Sequence, residues 1–248
     1  MKKIKNLLNV FRKTSYFKMS VIGMIMLSFL SISCINKKDF FFKAMHDTYV
    51  NPYFLTVVFL IFICNAIFLA KCFFKNAAYI IRKKNLSNYL KTMSAYNLVI
   101  DLYSFLILLG FTAICVFLRV SAKIDIFEIY KYNINYFVYL VFYFVRTFII
   151  IFLFTNMVNY IFLLPKKYYN IIYIVICVLA VVLVVYPYNY GVVTLGDFHI
   201  FIGYYLIPLE YSSFSLELLF SVGIIMILYS CNIIIDYLFE KFIRGYNV

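Results

Sequence analysis

The sequence predicts an all-α, polytopic integral membrane protein with six transmembrane helices in a single domain, residues 1–248. Hydrophobic residues make up 66% of the chain and charged residues only 13%, which leaves too little charge to cover the surface of a soluble protein of this size. The apolar residues cluster in separate stretches long enough to cross a bilayer, and most basic residues lie between these stretches. Most apolar side chains are therefore expected to face lipid.

The N-terminal segment, residues 1–18, contains six basic residues and no acidic residue. Ile4, Leu7, Leu8 and Phe11 recur with helical spacing and so share one face. This pattern predicts an uncleaved amphipathic helix that lies in the inner membrane interface with its apolar face toward the membrane. The alternative is the basic region of a signal peptide, although no clear small-residue cleavage site follows.

The six predicted spans are stretches of mainly apolar sequence about as long as a bilayer is thick. They cover residues 19–35, 53–70, 97–118, 136–160, 171–186 and 216–238.

The segment at 188–215 separates the fifth span from the sixth. It is too apolar for a solvated loop, yet it contains Asp197, His199 and Pro208. We expect an outer re-entrant or interfacial helical hairpin here, with its backbone shielded by neighbouring helices. The alternative is a seventh span at 192–209, which would bury Asp197 and His199 and would move the basic C-terminus outside.

The distribution of basic residues predicts the orientation. With the N-terminus inside, the inner segments carry sixteen basic residues and the outer segments six, so both termini are expected to be cytoplasmic. The net charge of +13 then fits anionic lipids better than nucleic acid, because the basic residues lie in loops between spans. Abundant Lys, Asn, Ile, Tyr and Phe without Trp indicates an AT-rich bacterial genome, so we expect a protein of the bacterial cytoplasmic membrane.

The inner loop at 71–92 carries six basic residues and no acidic residue. Its apolar residues repeat with helical spacing in two groups, one on each side of Lys83-Lys84-Asn85, which predicts two short amphipathic helical pieces. The first group is Phe74, Ala77, Ala78 and Ile81, and the second is Leu86, Tyr89, Leu90 and Met93. Such a surface could bind a cytosolic partner. The alternative is a loop that only fixes the topology through its charge.

Arg146 lies inside the fourth predicted span, where a charge is costly and should face protein or a watery cavity. The candidate acidic partners are Asp101 and Asp236, although both lie near the inner ends of their spans and are most simply interpreted as interface residues that meet lysines. A structural contact with water, Asn156 or Asn159 is favoured over a role in a substrate path. Four amides are expected to bridge helices, with path lining as the alternative: Asn65, Asn156, Asn159 and Asn232.

Catalytic and metal-binding motifs are absent from the sequence. His46 and His199 belong to no zinc-protease motif, the six cysteines are single, and there is no nucleophile elbow. We therefore predict no enzyme activity, no metal and no cofactor in this chain. There is also no phosphate-binding P-loop, so any ATP-driven work requires a second protein.

Taken together, these features resemble the membrane subunit of a type-2 ABC exporter. That family has an N-terminal interfacial elbow helix, six spans with both ends inside, a coupling helix between the second and third spans, and a re-entrant hairpin between the fifth and sixth. The matching stretches are 2–18, 71–92 and 188–215, so the similarity in layout covers essentially the whole chain. The sequence YIIRKKNLSNYLKT, residues 79–92, looks like the family's basic coupling segment.

The resemblance implies a permease subunit that exports an amphipathic or hydrophobic cargo such as a peptide, lipid or drug. It also implies a homodimer or a paralogous pair, driven by a cytosolic P-loop ATPase that carries ATP and Mg. The residues implied to contact the ATPase are Arg82, Lys83, Lys84, Asn85, Leu86, Ser87, Tyr89, Leu90 and Lys91. The alternatives are a non-transporting immunity or assembly factor and, after it, an ion-coupled secondary transporter. The last requires an acidic residue near the membrane midplane, and no span offers an obvious one.

Overall fold

The structure, a computed structural model, describes residues 2–33, 35, 40–70, 86–120, 128–129, 132–161, 194–195, 198–199 and 213–245. These residues form an almost entirely helical bundle, as the composition predicts. The helices are α1 (Lys2–Lys13), α2 (Ser15–Ser33), α3 (Phe41–Val50), α4 (Pro52–Leu69), α5 (Leu86–Arg119), α6 (Tyr136–Ile161) and α7 (Phe214–Gly245). The strands are β1 (Glu128–Ile129), β2 (Ile134–Asn135), β3 (Thr194–Leu195) and β4 (Phe198–His199).

Three of the described helices are long and apolar enough to cross a membrane. Their spanning parts are Asn88–Arg119, Tyr136–Tyr160 and Phe214–Leu238, which correspond to the third, fourth and sixth predicted spans. Of two shorter apolar helical stretches, Ser15–Phe29 overlaps the first predicted span and Val57–Leu69 lies within the second. The fifth predicted span, 171–186, lies outside the described residues.

The directions of the helices follow from their side-chain contacts. α2 and α4 are antiparallel, because Ser20 bonds Asn65 while Ile61 packs at Gly23. α5 and α6 are also antiparallel: Asn97 bonds Thr155, and Phe105 contacts Phe148 and Phe144.

α6 and α7 run in the same direction. Their hydrogen-bonded residues are separated by a nearly constant 71 to 79 positions in the sequence, which is the signature of a parallel pair. α7 therefore begins at the end of the bundle where α6 begins.

The N-terminal helix α1 forms as its periodicity predicts, but its apolar face is covered by protein. Leu7 and Phe11 are buried, and the Phe11 ring lies 5.0 Å from the ring of Phe68 at the end of α4. Thr14 separates α1 from α2: its hydroxyl donates to the Phe11 carbonyl (2.6 Å) and accepts from the Phe17 amide (3.3 Å). The expectation that this face meets lipid is wrong for these two side chains, because the ends of α4 and α5 reach the same level.

Helix α5 corrects the expected layout of the basic loop. The second amphipathic piece is not a separate short helix; it is the first part of a continuous helix of 34 residues that runs from Leu86 to Arg119. No glycine or proline interrupts this sequence before Gly110, so nothing local breaks the helix between the loop and the span. The first piece, up to residue 85, lies outside the described residues.

Two features differ from the prediction. Helix α3 was not expected, because Phe41–Val50 mixes polar and apolar residues; it packs through Tyr49, whose carbonyl accepts a 2.9 Å hydrogen bond from the Tyr143 hydroxyl. In the segment at 188–215, where a helical hairpin was expected, residues 194–195 and 198–199 form the antiparallel strands β3 and β4, and residues 214–215 begin α7. Most of this segment lies outside the described residues. Gly196-Asp197 stands between these strands, and such a pair favours a tight β-hairpin.

Candidate functional site: polar layers between the helices

A buried ion pair joins α6 to α7. The Arg146 Nη1 atom donates a 2.8 Å hydrogen bond to Glu217 Oε1, and the side chains are only 2% and 0% exposed. Arg146 also donates to Ser221 Oγ at 3.3 Å, and the Tyr139 hydroxyl donates to the same Glu217 oxygen at 2.7 Å. The guanidinium lies over the Tyr143 ring, 5.1 Å from its centroid. Charge is thus balanced inside the apolar bundle.

Arg146 makes a contact between helices, as the sequence favoured, but its partner is Glu217 and not one of the residues named from the sequence. Asp101 and Asp236 lie toward the other end of the bundle, and Asn156 bonds Asn232 instead. Helical side chains lean toward the N-terminus of their helix, so Arg146 extends back to the level of Glu217 on the parallel helix. The usable signal was a lone acid near the start of the sixth span, since charges inside spans usually pair with one another.

A second polar layer lies between α5 and α6. Asn97 Nδ2 donates to Thr155 Oγ1 at 2.8 Å, and Thr155 Oγ1 donates to Asp101 Oδ2 at 2.6 Å. All three residues are 0% exposed. The expectation that Asp101 meets lysines at the membrane interface is therefore wrong: this carboxyl group is enclosed, and within the described part of the chain its contacts are uncharged.

A third polar layer connects the C-terminal halves of α6 and α7. Asn156 Nδ2 donates to Asn232 Oδ1 at 3.0 Å, and Asn232 Nδ2 donates to the carbonyls of Leu153 (3.1 Å) and Leu228 (2.9 Å). Asp236 follows Asn232 by one helical turn and lies on the same face of α7. Asn159 is fully buried, and neither atom of its amide has a hydrogen-bond partner among the described residues.

The prediction that amides bridge helices is confirmed for three of the four residues. Besides Asn156 and Asn232, Asn65 of α4 accepts from Ser20 on α2 (3.2 Å) and donates to Ser104 on α5 (2.9 Å). Polar groups in an apolar bundle need such partners, since water is not at hand to replace them.

The residues proposed to contact an ATPase have different positions. Tyr89 and Leu90 are buried, 2% and 5% exposed, in an apolar cluster with residues of α1 and α4. Their side chains stabilise the base of the bundle, so the expectation that Tyr89 anchors a partner does not fit this conformation. Lys91 is exposed. Leu86 and Ser87 begin α5, and Arg82, Lys83, Lys84 and Asn85 lie outside the described residues.

In the part of the chain that the structure describes, no group of three or more His, Cys, Asp or Glu residues is placed to hold a metal ion. Comparison of the chain with protein-family models, with curated proteins and with solved structures finds no match.

Proposed function

We propose that the chain is the permease subunit of an ATP-driven exporter, which moves an amphipathic or hydrophobic cargo across the bacterial cytoplasmic membrane. A separate P-loop ATPase supplies the energy, and two copies or two similar chains form the working unit. The observation that carries the proposal is helix α5, which joins the basic loop at 71–92 directly to the polar layers inside the bundle.

The length of α5 suits it to transmit force. Its 34 residues extend about 51 Å at ~1.5 Å per residue, roughly 20 Å more than a ~30 Å hydrocarbon core. Its first turns therefore project beyond the membrane toward the loop. Tyr89, Leu90 and Met93 are buried against α1 and α4. Force applied to the exposed side of this part of α5 would therefore move α1, α4 and α5 together.

The layout of the helices supports six spans with both termini inside. α2, α4, α5 and α6 alternate in direction, and α7 runs parallel to α6. An odd number of crossings between α6 and α7 is consistent with this arrangement, and the single predicted span at 171–186 would provide it. A seventh span at 192–209 would make two crossings and is disfavoured.

In the proposed mechanism, closure of two ATPase subunits presses on the loop residues Arg82–Lys84 and on the exposed Lys91. This force changes the angle between α5 and α6 at the layer of Asn97, Thr155 and Asp101. Because these contacts are hydrogen bonds with a fixed geometry, a change of tilt exchanges one bonded arrangement for another. ATP and Mg stay on the partner.

The test is co-purification. The tagged chain is extracted in mild detergent from its host membrane, and the expected result is a bound P-loop ATPase whose hydrolysis is stimulated by the complex. Replacing Arg82, Lys83, Lys84 and Lys91 with alanine should lower ATPase recovery at least tenfold. The matched control replaces the exposed basic residues Lys13 and Lys18, on the same predicted side, and should retain the partner. Equal recovery from both variants, or no ATPase with the wild-type chain, contradicts the proposal.

One observation favours the ion-coupled alternative. Glu217 is a fully buried acid within a spanning helix, near the start of that span. A carboxyl group that exchanges between Arg146 and an ion could couple transport to a gradient. Transport by proteoliposomes that responds to an ion gradient in the absence of ATP would favour this function; a non-transporting immunity or assembly factor would show neither response.

A further inference from the structure

An open cleft of about 570 Å³ separates α5, α6 and α7 at the end of the bundle where α5 begins. Its volume lies within the ~300–1,000 Å³ range of ligand sites in proteins. The residues that matter for its chemistry come from all three helices: Lys91 and Leu98, Asn156, and Ile233, Asp236 and Tyr237.

One wall of the cleft presents hydrogen-bond acceptors. Asn156 is 5% exposed and gives its amide hydrogen to Asn232, while its Oδ1 atom has no hydrogen-bond partner in the described part of the chain. The Asp236 carboxylate lies one turn from Asn232 and accepts a hydrogen bond from the Tyr160 hydroxyl, which leaves it further acceptor capacity. An uncharged acceptor beside a carboxylate suits a group that carries both positive charge and N–H donors, which is the chemistry of a primary ammonium.

The opposite wall carries the opposite charge. Lys91 on α5 lines the cleft and is exposed, so it can bind a phosphate or carboxylate group. A ligand with an ammonium group alone would leave this lysine unused, and a purely anionic ligand would be repelled by Asp236. The two walls together suit a ligand group that carries both a positive and a negative charge.

The cleft opens toward the lipid-facing surface. Leu98 and Ile233 are 40% and 51% exposed, and Leu98 continues into the exposed Leu102 and Leu106 along α5. Exposed apolar stripes of this kind on spanning helices meet acyl chains. A hydrocarbon chain could therefore extend from the cleft along α5.

The height of the cleft matches the headgroup layer. Leu7 and Phe11 of the amphipathic helix α1 share an apolar cluster with Tyr89, Leu90 and Met93 of α5. Lys91 stands among these α5 residues in the sequence, so the charged end of the cleft lies at the level of α1, which is expected in the membrane interface. Leu98 follows Lys91 by seven residues, about 10 Å closer to the hydrocarbon core.

We propose that this cleft binds an aminophospholipid of the adjoining leaflet. The ammonium group contacts Asn156 Oδ1 and Asp236, the phosphate contacts Lys91, and one acyl chain lies along Leu98 and Ile233. A trimethylammonium head has no N–H donor and cannot satisfy Asn156. The site requires no ATPase partner, so it goes beyond the proposed transport function. It shares only Lys91 with the proposed ATPase contact, and the comparison of tryptophans at positions 237 and 238 leaves Lys91 unchanged and therefore tests the site separately.

The absence of tryptophan from the chain allows a direct test. Tyr237→Trp places a single fluorophore in the cleft, and Leu238→Trp places one on the next residue, outside the cleft; the native side chains are 64% and 55% exposed. Each protein is reconstituted in vesicles that contain a small fraction of acyl-brominated phosphatidylethanolamine, phosphatidylcholine or phosphatidylglycerol. Brominated phosphatidylethanolamine should quench Tyr237→Trp at least twofold more than either other lipid, whereas Leu238→Trp should show no preference.

Two further variants in the Tyr237→Trp background identify the charges. Asp236→Asn and Lys91→Gln should each reduce the preference to the level of the Leu238→Trp control. Equal quenching of Tyr237→Trp by all three lipids, a preference for phosphatidylglycerol, or the same preference at Leu238→Trp would overturn the proposal. If a charge variant fails to fold, the comparison of the two tryptophan positions still decides the outcome.

Discussion

Two interfaces in the same bundle are held together by different chemistry. At the base, α1, α4 and α5 bury large apolar side chains such as Phe11, Phe68 and Met93, each 0% exposed. Between α6 and α7, the buried side chains among residues 214–238 of α7, where side chains are described, are polar: Glu217, Ser221 and Asn232. In the apolar stretch of α7 only 11% of the residues are buried, against 44% in those of α5 and α6.

The difference matters because apolar packing and polar contacts constrain a helix differently in a membrane. Apolar side chains exchange protein neighbours for lipid at small cost, since lipid is equally apolar. A buried charge has no such substitute, so its partner fixes the position of the helix along its axis. We infer that the ion pair and the amides fix the axial position of α7, whereas α1, α4 and α5 are held together by the packing of apolar side chains.

The largest effect should come from breaking the ion pair on one side only. Glu217→Leu leaves the Arg146 charge buried without its carboxylate, which should cost about 3–5 kcal/mol of unfolding free energy. The double variant Arg146→Leu/Glu217→Leu should recover most of this loss, because neither charge remains. Thermal loss of helical circular dichroism in detergent measures both.

Tyr139→Phe is the matched control for the ion pair, since it removes one hydroxyl that donates to Glu217 and leaves both charges in place. It should cost only about 1 kcal/mol. If the double variant is as unstable as Glu217→Leu, the coupling between the two charges is not what holds α7.

The next effect concerns the apolar base. Phe68→Ala removes a buried ring that contacts Phe11 at 5.0 Å and Tyr16 at 5.9 Å, and it should cost about 3 kcal/mol through the cavity that it leaves. Unlike the ion-pair variants, it should release α1 first, so protease cleavage near the N-terminus should precede global unfolding. Phe68→Leu should keep most of the stability. A single cooperative transition with no early cleavage would show that α1 is not held by this ring.

The fold was predictable where the membrane imposes one pattern on the sequence. Hydrocarbon demands long, continuous apolar helices, so α5, α6 and α7 are visible in the composition of 97–118, 136–160 and 216–238. Helix α3 was missed because its ten residues lie outside such a stretch and mix lysine, histidine and aspartate with aromatic rings.

The site was less predictable, because periodicity shows that a helix face is covered but not what covers it. The spacing of Tyr89 and Leu90 correctly marks an apolar face, yet α1 and α4 cover it in place of a partner protein. The Arg146–Glu217 pair depends on the axial register of two helices that are far apart in the sequence. No local pattern encodes that register; only the presence of one base and one acid in apolar stretches hints at it.

The smallest effect distinguishes two buried amides. Asn232→Leu removes bonds to Asn156 and to two carbonyls, so it should cost about 1–2 kcal/mol, near the upper limit for a hydrogen-bonded side chain in a membrane protein. Asn159→Leu, at a residue that is equally enclosed but has no hydrogen-bond partner among the described residues, should be neutral or stabilising by up to about 1 kcal/mol, because an apolar side chain relieves the cost of an unpaired amide. Melting temperatures of the two variants in the same detergent make the comparison. A loss at Asn159 as large as that at Asn232 would mean that Asn159 has a partner in the assembled protein, and polar bonding between the helices would then extend further than the described contacts.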